Sequence, residues 1–404
     1  MKSIIFLFLI YCSVVFAQKD CQIPSKNYPP ITDLETSTFR GFMGGKYKNG
    51  SNLLTGNYLN DALALSAQIK TLDISGNQNK NGKIVMVGIG ASNPRTEFAA
   101  FQRQYDTFTN KNQNLVLVNT CIGGQGVQKM NISTDNYWVQ AQKTFDSVNV
   151  DFKQVQIAWI ETDNTQNGDT LFPRAALSLI QDLRQLLITM KVKFPNLKLC
   201  YFSARAYAGW ASTGLGKGLA HPRDYYNGWA IKWLIDSATT QNPNFKYMGN
   251  QSIIPMPLYA TYNWTNAEQV RKDGFYINCT NDIGNDGLHL SANGEMKLGN
   301  LMFNFFKSDT SSASWFVKTN AVGNINSSLK SNILIYPNPS SGEFHIKNNS
   351  SNHLNFNVFN FLGQSIYFIK INPNEYLTIK TDSWNKGIYW LKDINGSYFK
   401  LIVK

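Results

Sequence analysis

The sequence predicts an α/β domain, built on a parallel sheet covered by helices on both faces, followed by a small all-β sandwich. Three observations predict it. From about residue 83, short apolar runs alternate with helical patterns. The runs are apolar throughout rather than at every second position, as in strands buried on both faces. Beyond about residue 332 the helical patterns stop, and short alternating strands with turn signals take over.

The first strand is 83–90 (KIVMVGIG), β-branched and closed by glycine. A helix follows over 94–105, with Pro94 in its first turn. The second strand is 114–120 (NLVLVNT), and a helix over 136–145 leads to the third, 155–160 (VQIAWI). Residues 173–193 carry a strong helical period, with Leu177, Ile180, Leu183, Leu187 and Met190 on one face. The fourth strand is 197–202 (LKLCYF), and helices over 226–237 and 293–306 complete the unit. In such sheets the site lies beyond the carboxyl ends of the strands. Ser92, Gly123 and Glu161 all follow strand ends.

Residues 1–17 (MKSIIFLFLIYCSVVFA) have the basic start, apolar stretch and small-residue end of a signal peptide. The α/β unit is expected over 18–307. A Ser/Asn/Thr-rich linker follows over 308–331, and the β-sandwich occupies 332–404. Its strands are expected at 333–336, 343–347, 354–359, 365–369, 376–381, 387–392 and 398–403. No later segment approaches about 18 uninterrupted apolar residues, so the mature chain is expected to have no transmembrane segment.

The formal net charge is +12, yet the basic residues are scattered singly and form no block. A nucleic-acid partner is therefore not expected. With Cys12 in the leader, Cys21, Cys121, Cys200 and Cys279 remain, and four cysteines allow three pairings. Buried thiols are equally open for Cys121 and Cys200. There is no Cys-x-x-Cys and no Cys/His pair at zinc spacing, so no metal site is expected.

Ester hydrolysis by serine needs a nucleophile, a base and donors for the oxyanion. Ser92, in Gly90-Ala91-Ser92-Asn93, is the candidate nucleophile, although Ser92-Asn93-Pro94 also suits a helix cap. Of the four histidines, only His289 has a carboxylate three residues before it, Asp286. Asp286 can hold the imidazole in one tautomer and leave the other nitrogen for Ser92. Ser291 offers the competing reading of a loop-to-helix cap. Arg205, Tyr207 and Trp210 follow the fourth strand and are candidate substrate contacts, the rings for sugar faces and the guanidinium for an anion. The two aromatics equally suit a packed loop. Residues 44–47 (GGKY) and 262–264 (YNW) are further candidates for the same cleft.

The tail carries Tyr336-Pro337-Asn338-Pro339-Ser340-Ser341-Gly342, then Phe361-Leu362-Gly363-Gln364, then Gly387-Ile388-Tyr389-Trp390-Leu391, and ends Phe399-Lys400-Leu401-Ile402-Val403-Lys404. It resembles the C-terminal sorting domain of the type IX secretion system. That implies the type IX machinery as a partner and an extracellular or cell-surface location.

The blocks Gly90-Ala91-Ser92-Asn93, Asn119-Thr120-Cys121-Ile122-Gly123-Gly124-Gln125-Gly126 and Asp286-Gly287-Leu288-His289 resemble those of the SGNH/GDSL hydrolases. The resemblance implies a three-layer α/β/α sandwich, flavodoxin-like in its parallel sheet. It implies Ser92 as nucleophile, His289 as base and Asp286 as its orienter, with no cofactor. The Gly124 amide would serve the oxyanion, with Asn93 or Asn164 as the further donor. Two departures stand out: Ala91 replaces the acid before the serine, and Glu161-Thr162-Asp163-Asn164 replaces the Asn-Asp pair. The expected activity is a secreted serine esterase that removes acyl (acetyl) groups from a glycan or another ester substrate. The alternative is a non-catalytic carbohydrate-binding surface protein on the same fold.

Overall fold

β-Branched and aromatic content turns the apolar runs into strands β1 (Ile84–Gly90), β2 (Leu115–Asn119), β3 (Val155–Glu161) and β4 (Leu199–Ala204). A fifth, β5 (Met256–Tyr262), joins them. In this computed structural model they form one parallel sheet in the order β2-β1-β3-β4-β5. The structure describes residues 18–23, 27–212, 216, 218–240, 242–318, 333–360, 364–393 and 398–404. The signal segment 1–17, the tail residues 361–363 and most of the expected linker fall outside that range.

The sequence reading missed β5. Its second residue is Pro257, which cannot donate to a ladder, but β5 is an edge strand bonded only to β4. The helices between strands are α1 (Ser92–Thr107), α2 (Asn136–Ser147), α3 (Arg174–Lys193) and α4 (Arg223–Thr239), with α5 (Ala292–Ser308) after β5. Helix α1 packs on α5, and α3 packs on α4. The strand order reverses beside β1, and right-handed crossovers then send α1 to one face and α2, α3 and α4 to the other. Helix α3 buries Leu179, Ile180, Leu183, Leu186, Leu187 and Met190, whereas Leu177 is exposed. The buried stripe is thus rotated from the expected one.

The α/β unit also runs past the expected boundary at 307. Trp315 and Phe316 are buried in its core, and Phe316 stacks on Phe101 of α1. The Ser/Thr-rich composition around them hides two aromatic anchors. The chain divides between Thr319 and Asn320.

The second unit is all-β. Strands β6 (Ile333–Tyr336), β7 (Glu343–Asn348) and β10 (Tyr376–Lys380) form a sheet ordered β10-β7-β6. Strands β8 (Leu354–Phe359), β9 (Ser365–Ile371), β11 (Gly387–Asp393) and β12 (Tyr398–Val403) form another, ordered β9-β8-β11-β12. Within each sheet the strands pair antiparallel. One core, including Phe344, Ile346, Phe356, Ile371, Leu391 and Leu401, draws on both sheets.

Candidate active site

Ser92 sits where β1 hands over to α1. A Cβ on Gly90 would lie 2.5 Å from both the Glu161 carbonyl oxygen and Pro94 Cβ, so glycine is what lets the chain turn this close to β3. Ala91 is the capping position and Ser92 the first helical residue, so the serine hydroxyl is not spent as a cap. The amides of a helix's first turn have no intrahelical acceptor, and the helix dipole favours negative charge there.

The loop before α5 brings the base. Asp286 Oδ1 accepts the amides of Leu288 at 3.0 Å and His289 at 2.9 Å. Its Oδ2 lies 2.5 Å from His289 Nδ1, and His289 Nε2 lies 2.8 Å from Ser92 Oγ. Partial burial opposes ionisation of Asp286, but the hydrogen bonds from the His289 ring and the two amides outweigh it and hold the carboxyl below its ordinary value. Ser291, the rival signal, does cap α5 by accepting the Gly294 amide at 3.3 Å. The loop therefore caps α5 and also presents His289 to Ser92.

The N-terminal segment braces this loop, which the sequence reading did not anticipate. The Lys19 amide donates to Asn285 O at 2.8 Å, and the Asp20 amide to Trp210 O at 2.7 Å. Cys21 is disulfide-bonded to Cys279, while Cys121 and Cys200 are free and buried.

A cleft of about 360 Å³ opens at the Ser92–His289 pair, lined by Gly123, Gly124, Glu161, Thr162, Asp163 and Arg205 among others. Gly123 passes close over the serine, since a Cβ on it would lie 3.9 Å from Ser92 Cβ. Gly124 takes φ +74° with open space on its Cβ side. Among the described residues, the Gly123 and Gly124 amides bond to no backbone acceptor.

Asn93 and Asn164 were expected as oxyanion donors, and each commits one N–H of its carboxamide elsewhere. Asn93 Nδ2 donates to Leu288 O at 3.0 Å and its Oδ1 accepts the Leu290 amide at 3.2 Å. Asn164 turns to α3, donating to Asp182 Oδ2 at 2.9 Å and accepting the Gln166 amide at 3.1 Å.

The expected substrate contacts also move. Tyr207 and Trp210 are buried against each other, ring centroids 4.7 Å apart, and Tyr207 packs on Trp264. They pack a loop onto the domain and offer no face to a sugar. Arg205 does reach the cleft, where it shares the single Asp163 carboxylate, 3.3 Å away, with Arg223 at 2.6 Å. Lys46 and Tyr262 line a separate cavity, and Trp264 is buried.

Behind the cleft lies a buried acidic pair that the sequence reading did not find. Asn263 Nδ2 donates to Glu161 Oε2 at 3.0 Å and reaches Glu97 Oε2 at 3.3 Å. Burial pushes the Glu161 carboxyl up to about 8, against the hydrogen bonds of Glu97 and Asn263 and the charge of Arg205. Burial, then Glu161 itself, pushes Glu97 well above the ordinary carboxyl range. A glutamate at position 97 on the buried face of a helical stretch was the available signal. Among the described residues, no three His, Cys, Asp or Glu side chains converge as a metal site.

Comparison with known proteins adds the following. Residues 334–404 match the family described as the secretion system C-terminal sorting domain. The tail is therefore a type IX sorting domain, and the protein is exported to the cell surface or beyond. No helix among the described residues is long and apolar enough to cross a membrane. No curated protein matches the chain. One solved structure, a gut microbial diltiazem-metabolizing enzyme, is 12% identical over 71% of this chain and 70% of that one, with a TM-score of 0.33. A likeness that distant carries neither fold nor activity across.

Proposed function

We propose that the α/β unit is a serine esterase of SGNH type, a three-layer α/β/α sandwich that removes acyl groups from a glycan or another extracellular ester. The observation that carries this is the continuous chain Asp286–His289–Ser92, with contacts of 2.5 and 2.8 Å, opening on a cleft at the carboxyl edge of the sheet.

In this reading Ser92 Oγ attacks the ester carbonyl as His289 Nε2 takes its proton. Asp286 holds the ring in the tautomer with hydrogen on Nδ1 and stabilises the imidazolium. The amides of Ser92 and Gly124 receive the oxyanion. Collapse of the tetrahedral intermediate expels the alcohol, protonated by His289, and leaves an acyl-Ser92. Water, deprotonated by the same imidazole, then releases the acid and restores the serine. Export through the sorting tail favours a substrate outside the cell, which is the reason for preferring a glycan ester.

Fluorophosphonate labelling of the mature protein tests the reading, followed by release of acetate from acetylated polysaccharides. Wild type is expected to label, and Ser92→Ala and His289→Ala to lose at least about ten-thousand-fold in rate. A folded wild type that does not label sinks the proposal.

A further inference from the structure

Two carboxyls share one dry place directly behind the nucleophile. Glu97 lies a little over one turn along α1 from Ser92, and Glu161 closes β3. Their relative exposures are 0% and 2%, and that of Asn263 between them is 1%. Both Oε2 atoms sit within hydrogen-bond reach of the single nitrogen Asn263 Nδ2. Two carboxylates this close and this dry cannot both be ionised. Glu97 Oε1 and Asn263 Oδ1 are moreover buried without a partner.

We propose that Glu97 and Glu161 hold a single proton between them, and that this carboxyl–carboxylate pair is a positioning device that ties the helix carrying Ser92 to the cleft wall at the end of β3. The coupling to the serine runs through short paths. Glu161 stands opposite Gly90 in the β1–β3 ladder, and Glu97 shares a helix with Ser92. Removing the proton places two like charges across that joint and drives α1 away from β3. Ser92 then shifts against the Gly124 amide. An error of about 1 Å at a nucleophile costs about a hundredfold.

The groups facing the pair do not replace the proton. Cys121, after β2, is a buried thiol held neutral by its surroundings. Glu295 on α5 adds like charge to Glu97. Arg95 on α1 acts on Cys121, and Arg205, after β4, favours ionised Glu161 but is outweighed there by burial. The pair titrates as a unit, and burial moves both members in the protonated direction.

The effect on the serine rests on the esterase reading, so the test has two independent arms. The first is infrared spectroscopy of the whole mature protein at neutral pH. A protonated-carboxyl C=O band is expected in wild type and is lost in the Glu97→Gln, Glu161→Gln double variant, which leaves no carboxyl at the joint. Absence of that band in wild type overturns the proposal whether or not the protein is an esterase. The second is the pH profile of fluorophosphonate labelling, each variant normalised to its own plateau. Wild type is expected to fall about tenfold per pH unit once the pair loses its proton. Glu97→Gln, which carries no more than one charge there at any pH, keeps its plateau to higher pH. Superimposable profiles overturn the positioning role. No labelling at any pH instead defeats the esterase reading, and the infrared band alone then decides the pair.

Discussion

Asn93 grips the chain on both sides of His289. Its carboxamide nitrogen donates to the carbonyl of Leu288 and its oxygen accepts the amide of Leu290, at 3.0 and 3.2 Å. The residue next to the candidate nucleophile therefore fixes the backbone of the candidate base, almost two hundred residues away in sequence. The pairing sets where His289 Nε2 meets Ser92 Oγ.

Asn93→Ala removes both bonds and leaves the loop free to drift while the triad side chains stay intact. Labelling and ester turnover are expected to fall about a hundredfold, with the circular dichroism spectrum unchanged. Asn93→Asp keeps the acceptor for Leu290 and loses the donor for Leu288, so it should fall between. Equal activity of Asn93→Ala and wild type would remove the positioning role.

Gly287 supports the same loop by a different means. It takes φ +75°, and a Cβ would lie 2.5 Å from the Trp210 carbonyl oxygen. That contact is with backbone, so it cannot be relieved by a rotamer change. Gly287→Ala is expected to cost more than about 1 kcal/mol and to reduce labelling sharply. The paired measurement is the midpoint of urea unfolding together with the labelling rate. A neutral outcome in both would show that the loop is not braced on Trp210.

The sequence disclosed the parts whose signal is local. Continuous apolar runs revealed four of the sheet strands, and alternation revealed the tail sandwich. Ser92, Asp286 and His289 stood out through spacing alone, because a strand end and an Asp-x-x-His are short-range patterns. What stayed hidden depends on long-range contact. Pro257 reads as a strand breaker until β5 is known to be an edge. Asn93 and Asn164 have the right chemistry for an oxyanion, but their bonds to Leu288 and Asp182 are long-range contacts. Tyr207 and Trp210 look like sugar platforms until Trp264 is seen packed against Tyr207. Glu161 stands out at a strand end, but nothing local names Glu97 as its partner, and the two meet only across the α1–β3 joint.

The cysteines could not be paired from sequence, and the pairing has a consequence at the site. Cys21–Cys279 closes a loop with a sequence separation of 258 and anchors the segment whose Lys19 holds Asn285, beside Asp286, and whose Asp20 holds Trp210. Cys21→Ser is expected to cost about 2–5 kcal/mol and to lower activity beyond its effect on the midpoint of thermal unfolding. A thiol count gives a direct check. The mature native protein should resist alkylation, because Cys121 and Cys200 are buried, and the unreduced denatured protein should take two labels. Four labels without reductant would exclude the disulfide.

Stability should fall as pH rises toward the alkaline side of neutrality, the reverse of the usual behaviour of paired carboxylates. An unfolded glutamate loses its proton near its ordinary value, whereas burial keeps the folded Glu97–Glu161 pair protonated well above it. Across that window, which reaches about 8 for Glu161, the folded state binds more protons than the unfolded state. The unfolding free energy therefore decreases with pH, by at most about 1.4 kcal/mol per pH unit for one proton. The contribution is full below the unfolded value and is exhausted once the folded pair ionises. Asp286, held below its ordinary value, acts in the opposite sense and only in acid. Urea unfolding of wild type and the Glu97→Gln, Glu161→Gln double variant, measured from pH 5 to 9, separates the terms. The double variant should lose the downward slope. If both proteins keep the same slope, the pair carries no proton across that range.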